Sequence, residues 1–243
     1  MLLSFFIKWR KRAGSGRTHA YGMYLLLLYM KPRQENEQHG GSGQLKEKVC
    51  KKLANSSILF HASTARSRGG IVFEEMKGRV AVITGATSGI GRASSVLLAQ
   101  QGIKVVLAGR NEQSGKALEQ EILSSGGQAV FVRADVSDAE SVKNLITTAE
   151  HAFGTVHYAL NNAGIEGWLG SLAEMEERDF DEVISINLRG VWLCLKYQLQ
   201  AMASHGGSVV NISTNITRMG MGGTGAYTAS KAGVESLTRG VSY

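Results

Sequence analysis

The stretch 79–92, RVAVITGATSGIGR, constrains the fold more than any other part of the chain. Val80, Ala81, Val82 and Ile83 make a short apolar run suited to a strand buried on both faces, and Thr84-Gly85 ends it. From Gly89 onward, Ile90, Ala93, Val96, Leu97 and Ala99 repeat at helical spacing. The segment reads strand, glycine turn, helix. Glycines at Gly85, Gly89 and Gly91 remove side chains where a backbone must pass close to a phosphate group, which the amide groups of the helix N-terminus then hold. Taken alone, the same glycines also fit a tight turn with no ligand.

The pattern continues regularly. Residues 104–110, KVVLAGR, read as a second buried strand, followed by a polar helix over 112–125 with Ala117, Leu118, Ile122 and Leu123 on one side. Strand three is expected at 128–132, a helix at 138–152, and strand four at 156–160. A long helix is expected at about 175–204, strand five at 207–212, and a last helix from near Ala226. Strands that alternate with helices predict an α/β fold: a doubly wound parallel sheet with helices on both faces.

Residues 1–76 differ in character. They hold thirteen Lys or Arg against five Asp or Glu, whereas 77–243 hold fourteen against fifteen, so the net charge of +7 belongs to the extension. The basic balance is therefore no sign of nucleic-acid binding by the folded part, and no nucleic acid is assigned as partner. Apolar runs at 1–7 and 21–30 are too short to span a membrane, and 33–48 and 62–70 have linker composition. The extension reads as poorly structured, largely disordered chain, with a boundary near Met76. An organelle-targeting segment, a membrane-surface anchor and a tail without a task all remain open for it. Two cysteines, Cys50 and Cys194, build no disulfide framework and favour a reducing compartment such as the cytoplasm. No metal site is assigned.

Three further signals agree with the glycine turn. NNAG (161–164) follows strand four directly, at the strand end where doubly wound sheets place ligands. Tyr227 and Lys231 lie four residues apart, on one face of a helix. Asn187 interrupts the apolar pattern of the long helix. Each has an ordinary alternative: a satisfied turn residue, an exposed helical pair, a backbone-bonded asparagine. In this order, TGATSGIG, NNAG, Asn187, Tyr227 and Lys231 resemble the short-chain dehydrogenase/reductase family from about Lys77 onward.

That resemblance implies a Rossmann-type fold, a nicotinamide dinucleotide, and hydride transfer to or from a small alcohol or carbonyl substrate. It implies Tyr227 as general acid/base, Lys231 as the cation that lowers the tyrosine pKa and holds the nicotinamide ribose, and Asn187 as support for a relay water. The substrate-orienting hydroxyl falls thirteen residues before the tyrosine, at Thr214 where the family has serine, with Ser213 beside it. Cofactor contacts are implied for Gly85, Thr87, Ser88, Gly89, Ile90 and Gly91, for Arg110, Asp135 and Val136, and for Asn162, Ala163 and Gly164, as well as Tyr227 and Lys231. Asp135 equally suits a cap for the helix near Asp138. An acid after strand two would bond a ribose 2′-hydroxyl, whereas arginine accommodates a 2′-phosphate; Ala108-Gly109-Arg110 favours NADP, with NAD as the alternative. The resemblance further implies a homo-oligomer built on the long helix and the last helix, and additional strands after Tyr243. Without them strand five is expected to be an open edge, and a non-catalytic dinucleotide-binding protein or inactive fragment is the rival expectation.

Overall fold

The apolar run at 80–83 becomes the centre of a sheet in the computed structural model, which describes residues 2–9 and 76–241. In chain order the strands are β1 (Leu2–Trp9), β2 (Val80–Thr84), β3 (Lys104–Gly109), β4 (Gln128–Arg133), β5 (Val156–Asn161) and β6 (Gly207–Thr214). The helices are α1 (Gly89–Gln100), α2 (Glu112–Ser124), α3 (Ala139–Phe153), α4 (Glu177–Ile184), α5 (Gly190–Met202), the single turn α6 (Ile216–Met219) and α7 (Gly225–Gly240). The sheet order is β1-β6-β5-β2-β3-β4, parallel from β6 to β4. From β2 the chain winds outward through β3 to β4, then returns to β5 on the other side of β2. That reversal puts the carboxyl ends of β2 and β5 side by side, with Thr84 paired to Asn161, which is the crevice where such sheets bind ligands.

Side-chain alternation along β2 divides the core. Ala81 and Ile83 pack with Leu118, Ile122 and Ala99 of the α1–α2 layer. Val80 and Val82 pack with Leu145, Ala149, Leu195 and Met202 of the α3–α5 layer. Both faces are covered, so β2 needs apolar residues at every position rather than every second one.

Three local features depart from the sequence expectations. Residues 2–9 pair antiparallel with β6, Leu2 opposite Thr214 and Trp9 opposite Gly207, so β6 is not an open edge; the rest of the extension, with Cys50, lies outside the described residues. The single long helix is instead α4 and α5 joined by a π turn at Ser185–Arg189, and it begins at Glu177 after a 3-10 turn at Leu172–Glu174. β6 runs on to Thr214, two residues further than expected, because Ser213 and Thr214 continue the pairing. Among the described residues, no helix is long and apolar enough to cross a membrane.

Candidate active site

Three helices start at the carboxyl edge of the sheet with different caps. Asn111 accepts a hydrogen bond from the Ser114 amide through Oδ1 (2.9 Å) at α2, and Asp138 accepts from the amides of Glu140 and Ser141 at α3. α1 has no side-chain cap at Ser88 and no acid in its first turn. Its first amides therefore lack the intramolecular partner that the other two helices have, and they lie beside the crevice.

The crevice has a volume of ≈ 240 Å³, and Gly85, Thr87, Ser88, Gly109, Arg110, Asp135, Val136, Ala163 and Gly164 line it together with Ala108, Asn111, Ala134, Ile165 and Ile186. Four strand ends thus contribute to one wall-to-wall space. The glycines divide their tasks in a way the sequence did not distinguish. A Cβ at Gly91 would overlap Gly85 O, and one at Gly85 would lie 2.9 Å from Ala163 Cα. Those two glycines let protein pack on protein. Gly89, at φ 51°, has nothing within 4 Å of where its Cβ would be, so this position is glycine for its backbone conformation and leaves open space. Ile90 and Gly91 are outside the crevice lining; they carry the chain from the turn into α1.

Asn162 joins two turns. Its side-chain Nδ2 donates to Thr84 O (3.2 Å) and Gly85 O (3.1 Å). Thr84 Oγ1 in turn accepts from the amides of Asn162 and Ala163 at 3.1 and 3.2 Å. The glycine turn and the NNAG turn are one hydrogen-bonded unit, and Thr84 is a member that sequence reasoning passed over. Asp135 does not cap α3, since Asp138 does; Asp135 Oδ1 accepts from the amide and hydroxyl of Ser137. The Ser137 hydroxyl is the main reason its carboxyl titrates below the usual range, and Arg110 and Arg133 push the same way.

Beyond Gly164 lie the residues expected to do chemistry. A Cβ at Gly164 would sit 3.0 Å from Asn187 Oδ1 and 3.4 Å from Lys231 Nζ. Asn187 is fully buried in the π turn. It holds Ile165 at both ends, accepting from its amide (2.8 Å) and donating to its carbonyl (2.8 Å), and also donates to Ser230 Oγ (3.1 Å). Ser230 donates to Tyr227 O (2.7 Å). One buried chain of bonds therefore ties the 165 loop, the π turn and the first turns of α7. Ser230 is a link with no visible signal in the sequence beyond its place between Tyr227 and Lys231.

Lys231 Nζ donates to Ile212 O (3.0 Å) and lies 5.9 Å from the centroid of the Tyr227 ring. Burial lowers its ammonium to about 8. Tyr227, half-buried, is held above its ordinary pKa by burial first and then by the Glu166 carboxylate. That direction is opposite to the expected lowering by Lys231: in the free protein desolvation of the phenolate, and after it Glu166, favour the protonated phenol. The two hydroxyls before Tyr227 also separate cleanly. Ser213 Oγ donates to Glu235 Oε1 (2.9 Å) inside the core, while Thr214 Oγ1 only accepts, at 3.4 Å, from the Ile216 amide. The alternation of a strand sends the pair to opposite faces.

A crevice at the switch point, an uncapped helix beside it, and a lysine against its Gly164 wall define a Rossmann-like α/β scaffold. The chain belongs to the family described as short chain dehydrogenase, whose sequence model matches residues 79–242. It is 36% identical over 173 residues to a 3beta-hydroxysteroid dehydrogenase of Mediterraneibacter gnavus, covering 71% of this chain and 63% of that protein. It is 36% identical over 170 residues to a cyclohexanol dehydrogenase of Acinetobacter sp., covering 70% and 68%. Among solved structures it resembles levodione reductase, with a TM-score of 0.66 at 37% identity, covering 68% of this chain and 65% of that one. It also resembles an actinorhodin polyketide ketoreductase solved with NADPH, with a TM-score of 0.64 at 30% identity, covering 67% and 63%. The chain thus spans 63% of the length of the steroid dehydrogenase it matches.

Proposed function

We propose that residues 77–243 form the unit of an NADP-dependent oxidoreductase that reduces a carbonyl, or oxidises the corresponding alcohol, on a small molecule. The observation that carries the reading is the bond chain from Asn187 through Ser230 to the first turns of α7, which sets Lys231 next to the Gly164 wall of the crevice with Tyr227 one turn before it on the same helix. The residues fit a dinucleotide. Uncapped α1 amides and the open space at Gly89 suit a pyrophosphate, and the Gly164 wall leads from there to Lys231. NADP, when bound, supplies the hydride chemistry.

The choice of NADP over NAD rests on the end of β3. Gly109 has no carboxylate for a ribose 2′-hydroxyl, and its Cβ position is only 3.2 Å from Thr87 Cγ2, whereas Arg110 lines the crevice and is exposed. In the reducing direction Tyr227, held above its ordinary pKa by burial and Glu166, gives its proton to the carbonyl oxygen as negative charge develops there. Thr214 supplies the hydroxyl that orients this oxygen, Lys231 a positive charge near the ribose, and Asn187 the fixed position of the 165 loop.

Self-association through α5 and α7 belongs to the same reading. Trp192 is 44% exposed on α5, with Lys196 Nζ 5.8 Å from its ring centroid. Buried, unbridged Cys194 suits the cytoplasm. The deciding experiment titrates the full chain with NADPH and NADH by fluorescence, then follows loss of the reduced-nicotinamide absorbance over a panel of carbonyl compounds. Tighter NADPH binding that Arg110→Ala selectively weakens, with carbonyl-dependent oxidation, supports the reading. Equal affinities, or no carbonyl-dependent oxidation, refute it.

A further inference from the structure

Burying a carboxylate costs stability unless its oxygens are bonded, and an apolar side chain would pack a helix on a sheet as well or better. Glu235 of α7 is nevertheless buried, 6% exposed. Its Oε2 lies 3.9 Å from Nη1 of Arg239, a side chain that is itself largely in water. Its Oε1 accepts two hydroxyls, from Ser213 Oγ at 2.9 Å and from Thr217 Oγ1 at 2.8 Å. Ser213 holds the carboxylate from within the core. Thr217, on the single turn α6, joins it to the chain that leaves β6.

The Thr214 hydroxyl has little of its own to fix it. Among the described residues its Oγ1 has one hydrogen bond, a long one, accepted from the Ile216 amide at 3.4 Å. The shorter bond is to its backbone, because Thr217 Oγ1 also lies 2.8 Å from Thr214 O. One hydroxyl proton thus faces two acceptors at equal distance, and it links the Thr214 peptide to the Glu235 carboxylate.

The helix that supplies this anchor also carries the tyrosine. Tyr227, Lys231 and Glu235 are spaced by four along α7 and share one of its faces. Lys231 Nζ donates to Ile212 O (3.0 Å), and Glu235, one turn later, reaches the turn after Thr214. Two successive turns of α7 therefore hold the chain just before and just after the threonine. Glu235 itself is outside the crevice lining.

Resting on the oxidoreductase reading, we propose that Glu235 is a positioning residue for the reaction. Acting through the Thr217 hydroxyl, it sets the backbone of Thr214 so that the threonine's own hydroxyl meets the carbonyl oxygen that Tyr227 protonates. The role requires an acceptor oxygen at this place, which glutamine keeps and leucine lacks.

The test uses the full chain. Affinity for NADPH is measured by fluorescence, and kcat and KM with cyclohexanone, benzaldehyde and 2,3-butanedione. The compound reduced fastest is then carried through Glu235→Leu, Glu235→Gln, Thr217→Val, Thr214→Ala and the double variant Thr214→Ala/Glu235→Leu. Glu235→Leu and Thr217→Val should each lower kcat about tenfold with NADPH affinity unchanged, the loss expected when a reacting group is slightly displaced. Glu235→Gln should stay within about twofold of wild type. In the Thr214→Ala background, Glu235→Leu should change kcat by less than about twofold, because the hydroxyl it positions is gone. A wild-type chain that reduces none of the three compounds overturns the oxidoreductase reading and this inference with it. In an active chain the inference alone falls if Glu235→Leu and Thr217→Val keep the wild-type kcat, if Glu235→Gln lowers kcat as much as Glu235→Leu, or if the two losses multiply in the double variant. Where Glu235→Leu loses NADPH affinity, Thr217→Val decides: a kcat about tenfold lower at unchanged NADPH affinity supports the inference, and a wild-type kcat overturns it.

Discussion

Asn162 donates a hydrogen bond to Gly85 O at 3.1 Å, and the same nitrogen lies 2.6 Å from where a Cβ on Gly91 would be. One amide side chain thus fixes the glycine turn from behind, and the crevice inherits its shape from a contact between two segments that sequence reading treats as separate motifs.

Substitutions at the glycines should rank by this contact. Gly91→Ala places a methyl against Gly85 O and Asn162, so it should lower stability by about 2 kcal/mol or more and abolish NADPH binding. Gly89→Ala meets open space and costs only the positive-φ penalty, roughly 1 kcal/mol. Asn162→Ala, losing two hydrogen bonds, should cost about 1–3 kcal/mol. Urea denaturation paired with NADPH titration measures the order; equal effects at the two glycines would refute it.

The two neighbouring hydroxyls should separate stability from activity. Ser213→Ala removes a donor from the buried Glu235 carboxylate and should lower stability by about 1–3 kcal/mol with kcat preserved. Thr214→Ala should do the opposite, with kcat falling about a hundredfold or more and the denaturation midpoint almost unmoved. Tyr227→Phe should remove turnover and leave NADPH affinity intact. Steady-state kinetics and thermal melts on the three variants decide this.

Lys231 predicts a pH dependence of stability. Its folded value, about 8, lies below the unfolded one of 10.5. The unfolded state therefore holds the proton more tightly, and the lysine's contribution to stability is complete above pH 10.5, falls as the pH drops toward 8, and levels off below. Lys231→Met removes this dependence. Relative to wild type, the variant should be most stable at pH 7 and lose its advantage by pH 10.5, as followed by urea midpoints across that range. A constant difference between the two proteins would show that burial does not depress the lysine.

Ser94 offers a plain stability test. Its hydroxyl is buried on α1 and makes no hydrogen bond. Ser94→Ala should raise stability by about 1 kcal/mol, since helix propensity improves and no bond is lost. A drop in the melting temperature would indicate a partner for this hydroxyl.

The sheet and its helices were legible because burial on both faces forces continuous apolar runs in strands such as 80–83, and single-face burial forces helical spacing at Val142, Leu145, Ile146 and Ala149. Tyr227, Lys231 and Asn187 were legible through spacing and resemblance. The tasks of Thr84, Ser230 and Glu235 were not, because each acts through a hydrogen bond to a residue far along the chain or to a backbone atom, and a hydroxyl that holds a loop looks in sequence like one that faces water. The raised tyrosine pKa was invisible for the same reason: it depends first on burial and then on Glu166, and only the fold sets either. The pairing of residues 2–9 with β6 escaped notice because a lone apolar run carries no mark of its partner.

The π turn at Ser185–Arg189 has a bearing on insertions and deletions. A π turn is an α turn with one residue too many, so this helix is one residue longer than its path requires, and the surplus falls where Asn187 is aimed at Ile165. Removing one residue between Ser185 and Arg189 would let the helix relax to a regular α form with α4 and α5 keeping their buried faces. What would be lost is the local backbone that aims Asn187 at Ile165. In any collection of related chains, gaps should therefore be scarce in these five residues and common in the loops on either side, although a shorter helix would be the easier one to build.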